Sequence, residues 1–125
     1  MKVAIQQSPW SRVDLFEAAG FDVVEAPIST EDEFIDLLRD VDGATIGTKP
    51  LTNRRVLEAC PNLKVVSRMG VGVDSIDLAA AAELGILACN VPGVNTAEVA
   101  DHAMAMLLAL TRRLPDSIRT TREGA

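Results

Sequence analysis

Short apolar runs alternate with amphipathic stretches along the whole chain. Val3-Ala4-Ile5, Val23-Val24, Ala44-Thr45-Ile46, residues 63–67 and residues 86–89 are too short for helices and read as buried strands. Between them the apolar positions fall at helical spacing. Val13, Leu15, Phe16, Ala18 and Ala19 lead to a stop at Gly20, with Ser8 at a cap position and Pro9 at the first helical one. Thr30-Glu31-Asp32-Glu33 is a capping box, and the helix it opens carries Phe34, Ile35, Leu37 and Leu38 on its inner side. Thr52 caps a segment through Val56, Leu57 and Ala59, which Pro61 ends. Asp74 or Ser75 caps another, through Ile76, Leu78 and a run of alanines up to Gly85. After a loop at 90–94, Asn95-Thr96-Ala97-Glu98 is a second capping signature, starting a long helix predicted to run to about Arg113, just before Pro115.

Five strands alternating with five helices predict an α/β fold. The expected architecture is a flavodoxin-like, three-layer αβα arrangement around a five-stranded parallel sheet of order 2-1-3-4-5. Residues 1–94 form the expected domain, and residues 95–125 its long final helix and tail. That helix is unusual, because residues 103–110 are apolar on every side where a surface helix shows one stripe. A domain of this size covers only one face of an edge helix. The other face is therefore expected to meet a second copy or a further domain, with a homodimer and exchange of the helix about the 90–94 loop as one outcome.

Composition narrows the partners. A formal net charge of −6 leaves no basic face fed by the whole chain, so nucleic acid is not an expected partner despite Arg112, Arg113, Arg119 and Arg122 near the end. The longest apolar run, residues 103–110, is far too short to span a bilayer, and because Met1-Lys2 runs straight into a strand pattern no signal peptide is expected. Cys60 and Cys89 have no metal-ligand spacing and read as two reduced thiols of a cytoplasmic protein; no metal site is expected.

In open parallel sheets ligands gather at the carboxyl ends of the strands near the switch point. Here that rim holds Gln6, Gln7, Ser8, Gly47, Thr48 and the turn Gly70-Val71-Gly72. Two glycines one residue apart, followed by Asp74, allow close backbone approach and outward amides beside a helix start, a setting for a carboxylate or phosphate. The same glycines also serve a plain strand-to-helix turn. Arg68 suits either a ligand carboxylate or a strand-end salt bridge. A phosphoacceptor receiver needs acids after the first strand and an aspartate after the third, where Gln6-Gln7 and Gly47-Thr48 stand. A flavin site needs a hydroxyl- and glycine-rich loop after the first strand, and Ser8-Pro9-Trp10 is a poor one. Ser75 stands where the dinucleotide fingerprint requires its third glycine. His102, the single histidine, is next to Asp101 and suits either a general base or, as is expected here, a capping or packing residue near a helix start.

The run from Val65 through Gly70-Val71-Gly72-Val73-Asp74-Ser75-Ile76-Asp77, continued by Gly85-Ile86-Leu87-Ala88-Cys89-Asn90-Val91-Pro92-Gly93-Val94-Asn95-Thr96, resembles the D-isomer-specific 2-hydroxyacid dehydrogenases. Ala100-Asp101-His102 is similar to the family's Ala-Glu-His, residues 107–112 to its Leu-Leu-Ala-Leu-x-Arg ending, and Pro50-Leu51-Thr52 and residues 57–64 fit as well. The resemblance spans residues 44–115. It implies a substrate-binding domain of an NAD- or NADP-dependent oxidoreductase acting on a small 2-hydroxy or 2-oxo acid, such as 3-phosphoglycerate, hydroxypyruvate or glyoxylate, with residues 95–125 as the crossover helix and tail that would lead into a Rossmann cofactor domain. It further implies that Gly70, Val71 and Gly72 hold the substrate carboxylate, that Thr48 sits at the substrate mouth, and that Val71, Asn95, Thr96 and Val99 border the nicotinamide.

The family's dinucleotide glycine motif, its catalytic arginine and glutamate, its proton-transferring histidine and its closing C-terminal segment all belong beyond Gly124, and Asp101 replaces the usual glutamate. The chain is accordingly expected to hold no catalytic residue, to bind no cofactor tightly and to be inactive alone. The alternatives are a stand-alone flavodoxin-like module for a small carboxylate or phosphate, and a folding unit without a ligand.

Overall fold

The computed structural model describes residues 1–124. Five strands, β1 (Lys2–Gln6), β2 (Asp22–Ala26), β3 (Gly43–Ile46), β4 (Val65–Arg68) and β5 (Leu87–Cys89), form one sheet in the order β2-β1-β3-β4-β5, with every pair parallel. The helices between them are α1 (Val13–Ala18), α2 (Glu31–Leu38), α3 (Arg54–Glu58) and α4 (Leu78–Glu83). This is the flavodoxin-like order that the alternation predicts.

Register explains which strand residues meet which helices. Ala4 pairs with Ala44 and Ala44 with Val66, so these side chains share one face with Ile46. Onto that face α2 brings Phe34, Ile35 and Leu38, α3 brings Val56 and Leu57, and α4 brings Ala80 and Ala81, all buried. Cys60 is sealed in the same core. On the other face Phe16 and Phe21, edge to face at 6.1 Å, border an apolar hollow of about 330 Å³ with Val3, Gly43, Thr45 and Val65.

The chain divides into two compact units, Met1–Pro92 and Gly93–Ala125. The second contains α5 (Thr96–Thr111) and a sixth helix, α6 (Leu114–Arg122). The long helix thus stops two residues earlier than predicted. Arg113 turns left-handed at φ 50°, and Pro115 then lies within the first turn of α6, where its missing N–H is no handicap.

Caps show where local pattern was sufficient. The Thr30 box forms as predicted: Thr30 Oγ1 accepts from the Glu33 N–H, and the Glu33 carboxylate accepts from the Thr30 N–H. Four expected caps do not form, that of Asn95 on α5 among them, since its side chain makes no cap bond. Asn53, not Thr52, caps α3, and Asp77, not Asp74 or Ser75, caps α4. Ser8 closes a small turn with Ser11 and Trp10, while α1 begins only at Val13. Thr52 and Ser75 are drawn instead into a bridge between the two loops: the Thr52 N–H donates to Ser75 O at 2.8 Å, and the Asp77 N–H to Thr52 O at 2.9 Å.

Candidate functional site

Three loops leave the carboxyl ends of β1, β3 and β4 side by side, because those strands are neighbours in the sheet. The β4 strand ends at Arg68, and the 70–72 turn follows. Gly70 sits at φ +152°, a conformation an L side chain rarely adopts, and a Cβ there would collide with the Arg68 guanidinium. Arg68 therefore lies directly under the turn.

The turn's hydrogen bonds run in one sense. Two of its three carbonyls are occupied: Gly70 O accepts from the Val91 N–H at 3.0 Å, and Val71 O from the Asn90 side-chain amide at 2.6 Å. The Met69 N–H donates back to Ile46 O at 2.9 Å. The N–H groups of Val71 and Gly72 have no acceptor among the described residues. The Gly70 N–H is spent on Arg68 O at 2.9 Å, and the two successive amides left over at Val71 and Gly72 favour an incoming anion.

Beside it lies a cavity of about 200 Å³, lined by Thr48, Leu51, Arg68, Gly72, Asp74 and Ser75. At ~30 Å³ per water in the liquid, it has room for a small organic acid. Its polar groups are unusually unmatched. Arg68 Nε and Ser75 Oγ are shielded from solvent and without a hydrogen-bond partner, and Arg68 forms no ion pair among the described residues. Thr52 Oγ1, one loop away, is likewise buried and unpartnered. A buried donor without an acceptor is costly unless a ligand or water supplies one.

The structure brings Thr48, Gly70, Val71 and Gly72 to one rim, with Thr48 and Gly72 lining the same cavity. Asn95, the N-cap position of α5, and Thr96 and Val99 on its first turn belong to the second unit. Arg68 is not tied up in a strand-end salt bridge; the guanidinium is free for an anion. In the sequence Ser75 stands out as a cap candidate and as the residue in place of the fingerprint's third glycine; its place in the cavity follows only from the fold. One expectation needs correcting: α4 starts at Leu78, six residues after Gly72, so the turn does not abut a helix N-terminus. The positive character here comes from free amides and Arg68. For the same reason the turn does not fit a dinucleotide pyrophosphate, which needs the glycine turn to run directly into a helix.

Burial pushes the Cys60 thiol up to about 11, with the Arg39 charge pulling weakly the other way, so this sulfur is inert at neutral pH. His102 is exposed on α5. Among the described residues no cluster of His, Cys, Asp and Glu is arranged as a metal site, and no helix is long and apolar enough to cross a membrane.

Comparison with known proteins agrees with the fold and the motifs. The profile of the D-isomer specific 2-hydroxyacid dehydrogenase, catalytic domain, matches residues 3–123. The chain is 34% identical over 112 residues to D-3-phosphoglycerate dehydrogenase of Archaeoglobus fulgidus, covering 90% of this chain and 21% of that protein. Among solved structures, the TT0316 protein from Thermus thermophilus superposes with a TM-score of 0.85 at 29% identity, over 99% of this chain and 41% of that one. The NAD-dependent formate dehydrogenase from Staphylococcus aureus, in complex with NAD, superposes with a TM-score of 0.78 at 27% identity, over 100% of this chain and 43% of that one. The chain spans about a fifth of the length of the curated relative it matches.

Proposed function

The chain belongs to the D-isomer specific 2-hydroxyacid dehydrogenase family, and from that premise we propose that it is the substrate-gripping part of an NAD(P)-dependent oxidoreductase acting on a small 2-hydroxy or 2-oxo acid. The observation that carries this reading is the 200 Å³ cavity where the solvent-shielded, unpartnered Arg68 Nε and Ser75 Oγ lie beside a turn with free Val71 and Gly72 amides. Amides and guanidinium bind the substrate carboxylate, and Thr48 contacts the substrate at the mouth. The substrates that suit the site are 3-phosphoglycerate, hydroxypyruvate and glyoxylate. In the complete enzyme Val71 and, in the second unit, Asn95, Thr96 and Val99 are the residues we assign to the nicotinamide edge.

Hydride transfer requires a bound nicotinamide and a proton donor to the carbonyl oxygen. The turn is no cradle for a dinucleotide, and the cavity holds no titratable acid beyond Asp74. The chain therefore binds and orients, and by itself does not turn over. We also assign self-association to α5, whose Val99, Met104, Met106, Leu107, Leu108 and Leu110 are exposed, as a homodimer with exchange about the 90–94 loop. Two unpaired thiols suit a reducing compartment, the cytoplasm.

Titrating the ¹⁵N-labelled chain with D-glycerate tests the site: the amide signals of Gly70, Val71 and Gly72 move first, and a response elsewhere alone refutes it. NADH oxidation with hydroxypyruvate, measured on the same preparation, stays at the blank; a measurable rate overturns the assignment of catalysis elsewhere. Because the cavity lies wholly within Met1–Pro92, a second reading is a self-sufficient module for a small carboxylate or phosphate. NAD-dependent turnover by any longer form containing this chain would discard it.

A further inference from the structure

We propose that Gln6 is a positioning residue that holds Thr48 at the mouth of the cavity, an inference that rests on the carboxylate reading above. Gln6 is the last residue of β1, and the β1–β3 pairing ends one step earlier, at Ile5 opposite Thr45. Past that point no backbone bond joins β1 to the 47–49 loop among the described residues. The Gln6 carboxamide takes over. Its Oε1 accepts the Gly47 N–H at 2.8 Å, and its Nε2 donates to Lys49 O at 2.6 Å. One planar group thus bonds the residue before Thr48 and the residue after it.

Gly47 and Gln6 fit each other. A Cβ at position 47 would stand 3.2 Å from Gln6 Oε1, tighter than ordinary contact, so a bare glycine lets the carboxamide seat. Only a side-chain amide of this length supplies an acceptor and a donor in one plane. Glutamate keeps the acceptor for Gly47 but turns an oxygen toward Lys49 O; methionine fills the space and makes neither bond. The clamp leaves Thr48 Oγ1 and the loop backbone pre-set beside Arg68, Gly72 and Ser75, so that less ordering accompanies ligand entry.

The test uses Gln6→Met, Thr48→Ala and the double variant in the ¹⁵N-labelled chain, reading Gly47 amide exchange and D-glycerate affinity from the 70–72 signals. Gln6→Met speeds Gly47 exchange and weakens D-glycerate about tenfold, the scale of two lost hydrogen bonds. The double variant binds no more weakly than Thr48→Ala alone, because Gln6 acts through Thr48. Additive losses overturn the proposal, as does faster Gly47 exchange with unchanged affinity. No 70–72 response in the unaltered chain removes the carboxylate reading and this inference with it, and is told apart because Gly47 exchange is read independently. Should Gln6→Met not fold, Gln6→Glu serves: it keeps Gly47 protected, and unchanged affinity there overturns the proposal while a loss supports it.

Discussion

Helices α2 and α5 handle hydrophobicity in opposite ways. α2 has eight residues and buries three of them, Phe34, Ile35 and Leu38. α5 has sixteen, is richer in apolar side chains and buries none; Val99, Met104, Met106, Leu107, Leu108 and Leu110 are each at least half exposed. The N-terminus of α2 is closed by a reciprocal capping box, whereas the Asn95 side chain makes no cap bond. Glu31, Asp32, Glu33 and Asp36 mark the outer side of α2 and so select its inner one. Within residues 103–110 of α5 no charged residue does the same. Apolar content alone says that a helix wants burial; asymmetry says which face and against what.

The largest effect that would break this contrast is in the core. Phe34→Ala is expected to cost about 3–5 kcal/mol in urea unfolding, since a fully buried ring leaves a cavity. Leu107→Ala on α5 is expected to cost under about 0.5 kcal/mol. Equal losses would mean that α5 is part of a packed core in solution. Next come the caps. Thr30→Ala should remove about 1 kcal/mol, and Asn95→Ala, with no cap bond to lose, a few tenths at most.

Self-association sharpens the comparison further. Leu107→Glu should leave the unfolding midpoint at the lowest protein concentrations unchanged while abolishing concentration-dependent dimer in sedimentation equilibrium; a dimer that survives would take the interface away from this face of α5. The smallest effect is in acid. The Ser29 and then the Thr30 backbone N–H groups hold the Glu33 carboxyl below its usual range. A carboxylate lowered in the folded state adds stability above its unfolded pKa, and that stability fades as pH falls through the folded value. Urea midpoints followed downward from about pH 5 should therefore drop less steeply in Glu33→Gln than in the unaltered chain. An identical slope would show that the box carries no charge-dependent stability.

Much of the fold was legible because its signals are local. Strand runs, the Thr30 box, the turn glycines and the all-round apolar character of the last helix are properties of a few consecutive residues. The caps of α3 and α4 were misassigned by one and by two or three positions for a non-local reason. Thr52 and Ser75 have the right chemistry for capping, but their backbones pair with each other's loops, which leaves Asn53 and Asp77 to close the helices. The break before α6 was hidden similarly: Pro115 signals an end to α5, and only the left-handed Arg113 turns that end into a new start.

The candidate site divides along the same line. By itself the sequence determined that a glycine turn, a strand-end arginine and a threonine lie on the carboxyl rim of a parallel sheet, since strand order follows from alternation and handed crossovers. Only the tertiary structure decided which atoms remain available there. Val71 O is taken by Asn90, 19 residues on, and the Gln6 amide clamps Gly47 and Lys49 from 41 and 43 residues away. Two free amides are left on the turn, beside a guanidinium that no ion pair claims among the described residues. The reason is physical: periodicity sets which face is buried, whereas a hydrogen-bond partner is chosen by the register of strands far apart in the chain.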